Sequence, residues 1–218
     1  MTVRSKELLL YILRGILIMM SRTHLTVGIA TSLLVMHPQT PKEICLAVAG
    51  GALGGVVPDI DILDNDYKFD CLIGQILGYG SVAAVLFLDR LFGYGIMDSI
   101  MSKSLFRIIP GLVVFAALNI FGFFQEHRGF THSILAFLLF AGSVFLIYDE
   151  FLIPFSLGFA SHIALDLLNK KGLQLFYPLD FGICFYLCYA DEGTNNVFMY
   201  AGLIASVLLL INSMFIHI

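Results

Sequence analysis

Histidines and aspartates recur at four separated places in this chain of 218 residues. The stretch HRGFTHS (127–133) holds two histidines around an arginine, and VPDID (57–61) holds two aspartates. His24 stands alone near the start, and SHIALD (161–166) holds a histidine and an aspartate four residues apart. Residues four apart lie on one face of a helix, where both side chains can bind one cation. Imidazole and carboxylate groups are ligands of divalent transition metals, so the four places together predict a metal site.

The number of candidate ligands indicates more than one ion. They are His24, Asp59, Asp61, His127, His132, His162 and Asp166. A single catalytic zinc needs three or four ligands, so we expect two ions, and this ligand chemistry favours Zn, Mn or Fe over Ca or Mg. Two such ions about 4 Å apart polarise a phosphoryl oxygen and make hydroxide available at neutral pH. Arg128 offers a fork of N–H donors that matches a phosphate, so we predict that it is catalytic and clamps the substrate.

The composition predicts where these residues act. Hydrophobic residues make up 59% of the chain and charged residues 13%, and the mean hydropathy is +0.91. A soluble globule of this size needs more polar surface. We therefore predict an integral membrane protein, an all-α, polytopic transmembrane bundle of about six to eight helices with the metal site at one membrane face. No basic run occurs, which excludes a nucleic-acid partner, and the four cysteines are expected to pack as reduced apolar side chains.

Apolar runs separated by turn residues give the predicted helices. The runs are 7–20, 23–37, 42–57, 72–88, 105–125, 132–148, 152–169 and 197–216. Polar or mixed connections are expected at 89–104 and 170–196, and Thr131 is expected to cap the helix that has His132 in its first turn. Glycines four apart, Gly50 with Gly54 and Gly51 with Gly55, predict close helix packing. We expect one membrane domain over 1–218, with a core at 22–180, an N-terminal helix at 1–21 and a C-terminal membrane segment at 181–218.

Counting membrane crossings brings the polar motifs to one face. If run 23–37 leaves that face, run 42–57 returns to it just before the VPDID turn. The run 105–125 returns to the same face just before HRGFTHS, and the run 152–169 returns with SHIALD near its end. Lysines and arginines are balanced between the two faces, so the positive-inside rule does not orient the chain.

Each motif also has a simpler interpretation when it is taken alone. His24 is then a capped or interfacial residue, VPDID a solvated turn, and Arg128 an anchor for lipid headgroups. The pair His162 and Asp166 is then a hydrogen bond between helices. Ionisable groups within apolar segments cost at least ~2.5 kcal/mol each, and independent accidents would not all choose one face. The combination therefore favours a shared site.

The motifs together resemble a known family. THLTVG (23–28), VPDID, HRGFTHS and GFASHIALDLLNKKGLQLFYP (158–178) are similar to the YdjM-type family of membrane-bound metal-dependent hydrolases. The resemblance implies a helical protein of the cytoplasmic (inner) membrane of a bacterium or archaeon, distantly similar to zinc-dependent phospholipase C. It implies that the seven candidate ligands named above hold divalent metal.

These features lead to a functional hypothesis with two alternatives. We expect a hydrolase that cleaves a phosphoester of a lipid or lipid-linked headgroup, so that membrane lipid is both the surroundings and the partner. The aromatic stretch 175–187 is either a lipid-facing rim of the site or an ordinary interfacial belt. The alternatives are a metal or ion transporter, and a non-catalytic membrane protein with a structural metal site.

Overall fold

The computed structural model of the chain describes residues 19–62 and 68–215, and this part is helical. Its α-helices are α1 Ser21–Met36, α2 Pro41–Val56, α3 Lys68–Phe92, α4 Ile96–Met101, α5 Leu105–Phe123, α6 Ile134–Ile147, α7 Leu152–Leu168 and α8 Glu192–Phe215. Short 3₁₀ helices cover Val57–Asp61, Phe130–His132 and Asp149–Phe151. Residues 19–62 and 68–215 contain only isolated β-bridges and no β-strand. The predicted all-α bundle is confirmed, whereas the predicted helix 7–20 lies almost wholly outside the described residues.

Five helical segments in the described part of the chain are long and apolar enough to cross a membrane. They are Pro41–Asp61, Lys68–Phe92, Leu105–Phe123, Asp149–Leu168 and Glu192–Met214. In an apolar stretch of 18 residues taken from each segment, 72% of the residues are buried in the first segment, but only 17% in that of α5 and 11% in that of α8. The apolar side chains of the outer helices therefore face outward, as expected for contact with lipid.

The centre of the bundle is a close packing of α1, α2 and α7 that depends on glycine. A Cβ atom on Gly55 would lie 2.6 Å from the carbonyl oxygen of His24, and one on Gly158 would lie 2.9 Å from the backbone nitrogen of Gly55. Real Cβ atoms do not approach other atoms so closely, so only glycine permits these crossings. The glycine packing predicted for α2 is confirmed, and it places the start of α1 and the end of α7 beside the end of α2.

The end of the bundle opposite the VPDID turn is held by ion pairs between loops. Lys42 at the start of α2 lies 2.7 Å from Glu150, and Lys103 before α5 lies 3.0 Å from Asp149. The polar or mixed connection predicted at 89–104 contains the short helix α4, which the sequence analysis did not predict. The carboxylate of Asp89 accepts hydrogen bonds from the first backbone N–H groups of α4 and stabilises its start.

The start of α6 differs from the prediction. Ser133, not Thr131, is the N-cap residue, and its hydroxyl accepts a hydrogen bond from the backbone N–H of Ala136. His132 therefore lies in the preceding 3₁₀ turn and not in the first turn of α6. The hydroxyl of Thr131 is directed at the carboxylate of Asp61, to which it donates, and lies one 3₁₀ turn before α6.

Candidate metal centre

The four polar motifs meet at one end of the bundle, where they form two adjacent groups of candidate ligands. The first group consists of Asp59, Asp61, His127 and His132, and the second consists of His24, His162 and Asp166. Within each group, one ligand atom of every residue lies within 4.8 Å of the others. The groups contain the same seven residues that the sequence predicts as ligands. Their side chains are almost completely buried, except that of His127, which is 15% exposed.

Asp61 organises the first group. One of its carboxylate oxygens lies 2.9 Å from Nδ1 of His127. The other accepts hydrogen bonds from the hydroxyl of Thr131 at 2.6 Å and from the backbone N–H of Arg128 at 3.3 Å. Three residues of the HRGFTHS turn thus contact the carboxylate of Asp61. These contacts fix the positions of the two histidines in the turn.

His162 connects the two groups. Its Nδ1 donates a hydrogen bond to the carbonyl oxygen of Gly55 at 2.7 Å, so its Nε2 faces the centre. That Nε2 lies 3.1 Å from Nε2 of His132 and 3.6 Å from Oδ1 of Asp59. A carbonyl acceptor behind a histidine is the usual arrangement that fixes the tautomer of a metal ligand.

His24 is the candidate ligand whose ring nitrogens have the fewest hydrogen-bond partners in the described part of the protein. Its ring stacks on that of His162 with the centroids 3.7 Å apart, and its Nε2 lies 3.6 Å from Asp166. Both ring nitrogens are buried and neither has a hydrogen-bond partner among the described residues; the same holds for Nε2 of His127. A buried polar atom without a partner costs about 1–3 kcal/mol. A cation bound by one ring nitrogen of His24, or by Nε2 of His127, together with the nearby carboxylates would satisfy that nitrogen, so the residues fit the metal that the sequence predicts.

The electrostatics of the turn between α5 and α6 agree with a cation site. Burial lowers the pKa of His127, so its imidazole is neutral at pH 7 and is available as a ligand. Burial also opposes a charge on His132, but the carboxylates of Asp61 and Asp166 outweigh it and raise the pKa of His132 to about 10. Without a metal, therefore, a proton on His132 offsets part of the negative charge of the centre. A bound cation would take the place of that proton.

Arg128 lies inside the protein and contacts the second group. Its backbone has a positive φ of 72°, and its guanidinium donates to Asp166 at 2.9 Å and to the carbonyl oxygen of Lys171. Its Nε is buried and has no partner among the described residues. These contacts give Arg128 a role in positioning Asp166, and its role as a substrate clamp stays a prediction.

Two residues that support the centre were missed in the sequence. The hydroxyl of Ser21 donates to Asp59 at 2.5 Å, and the thiol of Cys71 donates to the carbonyl oxygen of the same aspartate at 3.1 Å. Ser21 stands three residues before His24, so a polar residue one turn before a candidate ligand was the available signal. Cys71 follows its partner by 12 residues along the chain, and nothing in its sequence surroundings indicates that it lies here.

Comparison with known proteins gives one finding. The profile of the YdjM inner membrane protein family matches residues 19–217, a range that includes all seven candidate ligands and the helices that carry them. No curated protein and no solved structure matches the chain. The matched region covers more than half of the chain, so this protein belongs to the YdjM inner membrane protein family.

Proposed function

We propose that this membrane protein is a metal-dependent hydrolase that cleaves a phosphoester of a lipid or lipid-linked headgroup. The observation that carries the proposal is the pair of buried ligand groups. In them, both ring nitrogens of His24 and Nε2 of His127 have no hydrogen-bond partner among the described residues. Asp59, Asp61, His127 and His132 would hold one divalent ion, and His24, His162 and Asp166 would hold a second. Zn, Mn or Fe in such a pair supplies a Lewis acid for the phosphoryl oxygen and acidifies a water molecule.

The side chains around the ligands have separate roles in this proposal. Asp61 fixes the HRGFTHS turn, and the carbonyl oxygen of Gly55 orients His162. Arg128 holds Asp166, and its unpaired Nε–H is the donor with which it would contact a phosphate oxygen. The buried surroundings strengthen each of these interactions, because a low local dielectric reduces the attraction between opposite charges less than water does.

The position of the centre supports a lipid substrate. The ligands lie at helix ends, where a membrane-spanning helix meets the headgroup region. The segment after α7 is close by, since the backbone N–H of Gln174 donates to the carbonyl oxygen of Arg128. This segment exposes large apolar side chains outside any helix, including Phe176, Phe185 and Leu187. Such a surface suits the membrane interface.

A second candidate function is a structural metal site, and the burial of the centre favours it. Six of the seven ligand side chains are at most 2% exposed, and structural zinc sites are closed whereas catalytic sites keep an open position. A transporter is less favoured. Both ligand groups in the described part of the chain lie at one end of the bundle, whereas an ion path needs ligands through the depth of the membrane.

Metal content and phosphate release test the proposal together. The purified protein in detergent is expected to contain about two tightly held transition-metal ions, as a two-metal hydrolase does. It is expected to release phosphate or a phosphorylated headgroup from vesicles that contain a panel of lipid phosphates. The His162→Gln variant should lose metal and activity together. His37→Gln makes the same change at the exposed end of α1, opposite the centre, and should keep both.

The two readouts separate the candidate functions. Metal without release from any lipid phosphate would support the structural site and contradict the hydrolase. Absence of tightly bound metal would contradict both.

A further inference from the structure

A groove opens on the outer surface of the bundle beside the end of α5. It has a volume of about 320 Å³ and is lined by Ile60, Asn119, Ile120, Phe123 and Phe124. Its one polar side chain is already engaged, since the amide of Asn119 accepts from the hydroxyl of Tyr79 at 2.6 Å and donates to the carbonyl oxygen of Phe115 at 2.7 Å. The groove therefore offers contacts to hydrocarbon and no unsatisfied polar group for a polar ligand.

The groove shares a wall with the metal centre. Ile60 stands in the 3₁₀ turn between Asp59 and Asp61, whose carboxylates are buried among the candidate ligands. On the groove side, a Cβ atom on Gly122 of α5 would lie 3.2 Å from a methyl group of Ile60 and 2.7 Å from the methyl group of Thr131. The 3₁₀ turn that carries Asp59 and Asp61 thus lies between the groove and the centre. Ile60 lines the groove, and its two neighbours in the sequence belong to the centre.

The surroundings of the groove indicate which kind of molecule fills it. Ile120 and Phe123 are exposed on α5, and Phe124 is exposed just after it. Helix α5 is long and apolar enough to cross a membrane and is little buried within the protein. In a bilayer, the groups that lie against such a surface are acyl chains. The groove is at the same end of α5 as the centre, so a chain in it belongs to a lipid whose headgroup is at the level of the ligands.

We propose that this groove binds an acyl chain of the lipid whose phosphoester reaches the metal centre. The inference rests on the proposed function for the headgroup, and on the apolar lining and the shared wall for the chain. Ile60 contacts the chain on one side of the turn, while Asp59 and Asp61 act on the headgroup side. The groove would thereby favour substrates that carry both an acyl chain and a phosphoester over water-soluble phosphoesters.

The absence of tryptophan from the sequence makes a direct binding test available. The Phe123→Trp variant places one fluorophore in the groove, and Ile120→Trp is a second reporter in case the first variant does not fold. Phe106→Trp is the matched control, since Phe106 is exposed near the other end of the same helix. Each variant is reconstituted, with excess divalent metal, into vesicles of digalactosyldiacylglycerol, a bilayer lipid that has two acyl chains and no phosphate. The quencher is either this galactolipid with brominated chains or a phosphonate analogue of phosphatidic acid with the same brominated chains.

In the groove variant, we expect half-maximal quenching at about tenfold less brominated phosphonate than brominated galactolipid, which corresponds to about 1.4 kcal/mol of preference. In the Phe106→Trp control, both lipids should quench alike. If both lipids quench the groove reporter at lower mole fractions than the control, but equally, the groove binds chains and the phosphoester function fails. If the groove reporters and the control respond alike to each lipid, the acyl-chain site is wrong, whatever the phosphate-release assay shows.

Discussion

Hydrogen bonds from helices and turns elsewhere in the fold hold the carboxylates of the candidate metal centre. Asp59 accepts from Ser21 of α1, Asp61 from Thr131, and Asp166 from Arg128. Each carboxylate keeps a second oxygen, or a second lone pair, directed at the histidines. A partner of this kind fixes a ligand in one orientation before metal binds, so its removal weakens metal binding more than it weakens the fold.

Removal of the Ser21 hydroxyl tests this role at the scale of one residue. In Ser21→Ala, Asp59 loses its hydrogen bond, and we expect metal affinity to fall by about 10–100-fold. The measurement is competition for zinc with a chelator of known affinity.

The matched control is Ser32→Ala on the same helix. Ser32 is also buried, but among the described residues its hydroxyl donates to the sulfur of Met36 and not to a candidate ligand. Equal affinities for the two variants would show that Ser21 does not position Asp59.

At the scale of helices, the contact between α1, α2 and α7 sets the distances between ligands. A Cβ atom on Gly51 would lie 2.9 Å from the Cα atom of Ile29, and one on Gly50 would lie 2.6 Å from the side chain of Pro154. These contacts are to backbone or to a rigid ring, which cannot move away as a flexible side chain can. Widening them would move His24 and His162 apart, because α1 and α7 carry these two ligands.

Gly51→Ala is expected to destabilise the protein. Overpacking of a close contact costs about 1–3 kcal/mol, so thermal unfolding in detergent, followed by circular dichroism, should occur at a lower temperature. Bound metal should also decrease.

Gly142→Ala on α6 is the control, because a Cβ atom there has no neighbour within 4 Å. That substitution should leave stability unchanged or raise it by up to about 1 kcal/mol through helix propensity. A Gly51→Ala variant as stable as this control would contradict the close packing.

At the scale of the whole molecule, the two ends of the bundle differ in chemistry. One end carries the candidate ligands, and the other carries the pairs of Lys42 with Glu150 and Lys103 with Asp149. Helix α5 runs between the ends and is long and apolar enough to cross a membrane, so we expect the connections before and after it to lie on opposite membrane faces. This arrangement agrees with the crossing count made from the sequence.

Labelling with a membrane-impermeant thiol reagent tests this arrangement. Ser102 and Glu126 are exposed on either side of α5, and each is changed to cysteine in a background in which the four native cysteines are serine. In sealed vesicles of one orientation, we expect one variant to react from outside and the other only after the membrane is opened. Reaction of both from the same side would mean that α5 does not cross the membrane.

The sequence by itself determined the class of fold, the approximate helices and the set of candidate ligands that the fold brings together. Long apolar runs have no stable alternative to helices in a bilayer, and ionisable groups are too costly there to be scattered by accident. The seven candidate ligands could therefore be named from residue types and from the number of crossings, since both are local or additive properties of the chain.

Only the tertiary structure decided how the ligands divide into two groups and what holds each of them. The partners Ser21 and Asp59 are 38 residues apart, and Gly55 and His162 are 107 residues apart. Such contacts depend on the crossing of specific helices, which no local pattern specifies. The same reason explains why Arg128, which has the residue type of a phosphate clamp, is found paired with Asp166. The two residues are 38 positions apart in the sequence, and only the fold brings the buried carboxylate of Asp166 within 2.9 Å of the guanidinium.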